Sequence, residues 1–132
     1  MNLIMINTRV VTVEELDAIQ YLNEFKLTEK AYMDYISTIK YGSNIDYDLA
    51  KKKIIRNILL SREAHENKVD KEKRLFYYGN LQIMLNEKEK TICFIKNNLN
   101  TDYKFELDRE KRKTLNYIMN IKEWKQHEQY NI

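Results

Sequence analysis

Along the first half of the chain, apolar residues return every three or four positions, the spacing of one helical face. Thr12-Val13-Glu14-Glu15 has the form of a capping box, in which the threonine side chain accepts from the amide of Glu15, and it precedes Leu16, Ile19, Leu22 and Phe25. A helix from about 13 to 26 is predicted. Thr28 caps the next, which sets Ala31, Tyr32, Tyr35, Ile36 and Ile39 on one face and Gly42 where a left-handed C-terminal residue is usual. Asp46 opens a third helix with Tyr47, Ala50, Ile54, Ile55, Ile58 and Leu59 on its inner side. Lys51, Lys52, Lys53, Arg56 and Arg62 leave its opposite surface basic, and its end is expected near Ala64 to Glu66.

After the polar run from Glu66 to Lys73 the period shortens. Leu75-Phe76-Tyr77-Tyr78 and Leu81-Gln82-Ile83-Met84-Leu85 are short β-rich runs around Gly79-Asn80, a pair that reads either as a two-residue hairpin turn or as a bulge in one long strand. Asn86 to Glu89 is a turn into a strand at Thr91-Ile92-Cys93-Phe94-Ile95. Tyr103, Phe105 and Leu107 alternate with Lys104, Glu106 and Asp108 as a further strand requires. Leu115, Ile118, Met119 and Lys122 share a helical face flanked by Tyr117, Ile121 and Trp124, so a closing helix from about 109 to 128 is expected. Leu3-Ile4-Met5-Ile6 and Val10-Val11 read as an edge strand or as apolar segments packed on the first helix. The predicted fold is α+β: N-terminal helices, then a small antiparallel sheet of about three strands, then a C-terminal helix, in a single compact domain over residues 1–132.

Composition adds boundaries. Asn, Ile, Lys and Tyr supply 56 of the 132 residues, while Gly is 2 and Pro is absent, a bias of AT-rich coding genomes that speaks of origin rather than chemistry. The longest aliphatic run, Leu3 to Ile6, falls far short of the roughly 18 residues that span a bilayer. The N-terminus also lacks the pattern of a secretory signal, so a cytoplasmic protein without membrane contact is expected. Cys93 is the single cysteine, and its apolar run predicts a reduced core residue. The net charge of +3 is unevenly spread, with 4 basic and 6 acidic groups before residue 43 and 19 against 14 after it.

Familiar catalytic grammar is scarce. Two glycines cannot build a glycine-rich phosphate loop, and Cys93, His65 and His127 are too few for a structural zinc site. No carboxylate spacing stands out from helix-surface charge, so neither a metal nor a cofactor is expected. The most reactive-looking stretch is Arg62-Glu63-Ala64-His65-Glu66, because metal-free RNA cleavage needs an acid or base near neutrality and a cation beside the phosphorane. Arg74, Tyr77, Tyr78 and Lys96 lie on the following strands, which makes His65, Arg62, Arg74 and Lys96 the catalytic candidates of a metal-independent ribonuclease. In layout alone, residues 46 to 96 resemble small ribonucleases of the barnase and RelE type; the resemblance implies RNA cleavage but carries no residue over. The plainer account makes Arg62 and Glu66 an i,i+4 surface pair and His65 a solvated residue at a helix end.

Lys51, Lys52, Lys53 and Arg56, with Arg109, Lys111, Arg112 and Lys113, form two basic clusters, and Tyr77, Tyr78 or Tyr103 offer stacking surfaces for unpaired bases. Asp46 and Asp48 in the first cluster and Asp108 and Glu110 in the second allow an ordinary solvated helix face as well. Together these features predict a small non-enzymatic binding protein of phage or mobile-element type. It would inhibit or modulate a host nucleoprotein complex, such as a CRISPR defence complex, through protein or RNA contacts. The ribonuclease is the alternative.

Overall fold

The computed structural model describes residues 3–6, 9–38, 45–64, 72–97 and 106–122, the first ones to Val11 by backbone only. Local capping chemistry starts every helix among the described residues. Thr12 accepts from the Glu15 amide at 3.1 Å and opens α1 (Val13–Glu24), and Thr28 does the same for Ala31 at 3.1 Å ahead of α2 (Glu29–Thr38). Asp46 takes the Leu49 amide at 2.8 Å to begin α3 (Tyr47–Leu60), and Asp108 takes that of Lys111 at 3.0 Å to begin α4 (Arg109–Met119). The first helix stops two residues early because Phe25 turns extended to enter β3 (Lys26–Leu27). Asn120, left-handed at φ 56°, closes α4. Residues 39–44 and 123–132, with Gly42 and Trp124, lie outside the described residues.

The strands number more than the alternation suggested. β1 (Leu3–Ile6) and β2 (Arg9–Thr12) pair antiparallel as a separate ribbon, so the N-terminal segment is a hairpin rather than a single edge. The main sheet has five strands in the order β3-β7-β6-β5-β4, with β4 (Arg62–Glu63), β5 (Lys73–Tyr78), β6 (Leu81–Asn86) and β7 (Thr91–Asn97) antiparallel and β3 joining β7 in parallel. Two-residue strands escape a periodicity test, which is why about three were expected and five are found. Glu106 to Asp108 carry no strand, because Asp108 serves as a helix cap; Tyr103 and Phe105 lie outside the described residues. Gly79 settles its own ambiguity: with φ 56° it turns the chain between Tyr78 and Leu81, which face each other across a hairpin.

Cys93 is half-buried and occupies a bulge, not the core. Ile92 faces Leu85 and Phe94 faces Met84, so Cys93 is the extra residue. The bulge restores the inward face after an odd step, and Ile92 and Ile95, three apart, are both buried.

The largest departure concerns α3. It ends at Leu60, four to six residues early, since Ser61 is extended and Arg62-Glu63 leave as β4. Six consecutive residues, Lys53 to Ile58, are buried, a run no surface helix tolerates. The reason is layering: α3 lies against β5 on one side and against α1 and α4 on the other, while α2 packs on β7. Ile54, Ile55, Phe76, Ile83, Leu85 and Leu115 belong to one apolar cluster that results. The edge of β7 beyond β3 is covered too, as Asp34 of α2 accepts from the Ile95 amide at 3.1 Å and Thr28 donates to the Cys93 carbonyl at 3.1 Å.

Candidate nucleic-acid interface

Most of the helical cations expected at a contact surface turn inward. Arg56 is fully buried, donating to Asn57 Oδ1 from Nε at 3.1 Å and from a terminal nitrogen at 2.9 Å, and to Asn116 Oδ1 of α4 at 3.0 Å. Lys53 is buried as well. Lys51 and Lys111 have a different task. Neither α1 nor α3 has a basic residue in its last turn, where carbonyls go without helical partners. Lys51 Nζ donates to the Leu22 carbonyl of α1 at 2.9 Å, and Lys111 Nζ to the Leu59 carbonyl of α3 at 2.9 Å. Burial lowers the Lys51 ammonium below its ordinary value, against the charge of Asp48. Arg112 donates to the hydroxyl of Tyr78, itself buried, so that ring is no stacking platform. Of the two expected clusters, Lys52 stays partly exposed and Arg109 and Lys113 exposed, the last two one turn apart and followed by Tyr117, which is 88% exposed.

The catalytic candidates separate. Arg74 grips Glu63 with two parallel bonds of 2.9 and 2.8 Å and also donates to Glu87, whose other oxygen takes Lys90 at 3.0 Å. The bonds to Glu63 lead the causes that hold its guanidinium above its ordinary value, so Arg74 is a permanently charged clamp joining β4, β5 and the β6–β7 turn. It therefore has no donor set aimed at a phosphorane. His65 lies outside the described residues, as does Glu66. Arg62 lies on a strand, so the helical spacing on which its pairing with Glu66 was expected is absent at Arg62.

Arg62 and Lys96, by contrast, come together through strand register. Arg62 faces Tyr77, Tyr77 faces Gln82, and Gln82 faces Lys96, so the four form one row across β4, β5, β6 and β7. Their face of the sheet is the one opposite the core: Phe76, Tyr78, Leu81, Ile83 and Leu85 are buried, while Leu75, Tyr77, Gln82 and Met84 between them are only half-buried. Phe94 follows in the next row beside Met84. The Arg62 guanidinium sits 5.3 Å from the Tyr77 ring centre and the Lys96 ammonium 5.5 Å from that of Phe94.

Charge is sorted between the two faces. The five strands carry the cations Lys26, Arg62, Lys73, Arg74 and Lys96 and one carboxylate, Glu63. Alternation sends Glu63 to the core face, where Arg74 takes it, and sends the other four cations to the open face. That face has two aromatic rings, four positive charges and no strand carboxylate, a chemistry suited to phosphates and unpaired bases. Lys26, Lys73, Gln82 and Phe94 were not among the sequence candidates, although alternation along β5 and β6 points to Lys73 and Gln82. Among the described residues no group of three or more His, Cys, Asp or Glu gathers as a metal site, and no helix is long and apolar enough to cross a membrane.

The chain is 39% identical over 90 residues to the SPbeta prophage-derived uncharacterized protein YorE of Bacillus subtilis (strain 168), an alignment that covers 60% of this chain and 69% of the relative. No solved structure matches it significantly. A family profile described as YorE matches residues 25–129, a stretch that contains all five strands of the sheet. The chain belongs to the YorE family, which includes a prophage protein, in keeping with the phage-type character read from its composition.

Proposed function

We propose that this protein is a non-enzymatic binding protein of phage type that modulates a host nucleoprotein complex, with the open face of the five-stranded sheet as its contact surface. One observation carries the reading: the sheet sorts its charges, pairing its sole carboxylate with Arg74 on the core face and leaving Arg62, Lys73, Lys96 and Lys26 on the other. Charge-depleted of acid and bearing Tyr77 and Phe94, such a face matches a polyanion better than it matches bulk solvent. A prophage relative supports the phage setting, and a defence complex such as a CRISPR effector is the host target this setting favours.

The test is capture from a bacterial host lysate with the tagged full chain, run beside Tyr77→Ala/Lys96→Glu and beside Lys113→Glu as a control away from the sheet. A nucleoprotein complex held by the parent and the control but lost with the sheet variant is the expected result. Equal recovery by all three removes the sheet face from the function. Incubating the purified chain with tRNA, with and without EDTA, should give no fragments; fragments in both conditions would restore the ribonuclease.

A further inference from the structure

Resting on that reading, we infer that the open sheet face binds single-stranded RNA, with one base on the Arg62–Tyr77 stack and another on Phe94, and with Lys96 at the phosphate between them.

Register gives the spacing. Tyr77 on β5 and Phe94 on β7 are separated by one intervening strand and one cross-strand row, which places the rings about 12 Å apart on a diagonal, from the usual strand spacing and rise. Two stacked neighbours of a duplex cannot reach both rings at that separation. An unpaired, splayed strand can, since each base then lies on its own ring. Duplex is disfavoured for a second reason: the row Arg62–Tyr77–Gln82–Lys96 runs across four paired strands, a sheet surface rather than a single helix or two-stranded ribbon of the width that enters a groove.

The cations complete the arrangement. The Arg62 guanidinium already lies over Tyr77, and being planar it offers its outer surface to a base as readily as the ring does. Lys96 stands beside Phe94, with its ammonium a point charge suited to a phosphate oxygen. Gln82 sits between Tyr77 and Lys96 in the same row, and its amide both donates and accepts. A 2′-hydroxyl does the same, and an amide with two donors and two acceptor lone pairs can take it in addition to the partner it already has, so ribose adds a contact that deoxyribose lacks, which selects RNA over DNA.

Fluorescence anisotropy with a labelled single-stranded RNA of about ten nucleotides tests this, against a DNA of the same sequence and the RNA annealed to its complement. Single-stranded RNA should bind tightest. Tyr77→Ala and Phe94→Ala should each weaken it about 5- to 150-fold, while Tyr77→Phe, which keeps the ring, should bind like the parent and so separate a lost platform from a lost fold. Lys96→Gln should reduce the salt slope by roughly 0.7. Tyr117→Ala, on the far-exposed helix position, should change nothing. The inference is overturned if the duplex or the DNA binds as well as the RNA, or if both alanine variants bind like the parent. Absence of RNA binding, with lysate capture still lost by the sheet variant, overturns the RNA assignment and leaves the contact surface in place; loss of neither overturns both.

Discussion

The helix layer and the open sheet face use basic residues in opposite ways. On α3 and α4, Arg56, Lys51, Lys111 and Arg112 end on amide oxygens, helix-end carbonyls and a phenol, so their charge is spent holding layers together. On the sheet, Arg62 and Lys96 sit over aromatic rings on a face with no strand carboxylate. A cation's sequence neighbourhood is similar in both regions; what differs is whether a layer covers it. Helix α3 is covered on two sides by the sheet and by α1 and α4, whereas alternation gives each strand one side of its own.

Removing an inward cation should therefore cost stability, and the largest effect is expected at Arg56. Arg56→Ala leaves Asn57 Oδ1 and Asn116 Oδ1 without that donor and opens a cavity in the fully buried centre of α3, a loss of about 3 kcal/mol or more. Urea denaturation measures it. A variant as stable as the parent would mean that the guanidinium contributes no net hydrogen bonding, and the contrast between the two regions would lose its energetic side.

The faces of the sheet can be compared at adjacent residues. Ile83 is fully buried against the helices and Met84, the next residue, is half-buried on the other face. Ile83→Ala should destabilise by about 2 to 5 kcal/mol. Met84→Ala should cost below about 1.5 kcal/mol, because its side chain is only half-buried. Similar losses from the two changes would show that the second face is as dry as the first, and would undercut it as a contact surface.

These outcomes bear on what the sequence could reveal. Thr12, Thr28 and Asp46 were legible as caps because a cap is a contact between residues three apart. The hairpin from β6 to β7 was legible for the same local reason, turn chemistry between β-rich runs, whereas Gly79-Asn80 fitted a bulge as well as the turn it forms. The burial of Arg56 was not. Its position 56 is basic among lysines, and only the arrival of α4, sixty residues later, supplies Asn116 and closes that side. Asp108 was misread for want of a tie-breaker: three alternating pairs fit a strand, yet the same aspartate three residues before Lys111 fits a cap. Within the site, Arg62, Tyr77 and Lys96 were named from sequence, but their meeting in one row depends on register across four strands, which no window of sequence contains. The bulge at Cys93 lies beyond Phe94 on the same strand and shifts the register by one residue between the row of Phe94 and the row of Ile92.

The smallest expected effect lies at the clamp that keeps acid off the open face. Burial works to raise the Glu87 carboxyl, but hydrogen bonds from Arg74 and Lys90, with the charges behind them, outweigh it and hold the group below its ordinary value. A carboxyl lowered on folding stabilises fully above its unfolded value, about 4.3, and loses that contribution as pH falls through the folded one. The carboxylate is 29% exposed and Arg74 31%, so solvent screening keeps the contribution to about 1 kcal/mol or less. Urea midpoints of the parent and of Glu87→Gln should thus differ near neutrality and converge as the solution is acidified below pH about 4. Arg74 stays charged throughout that range and Lys90 with it, so the convergence reports the carboxyl alone. A difference that persists unchanged into acid would mean that Glu87 contributes by packing rather than by charge, and that Arg74 is held on the core face by Glu63 alone.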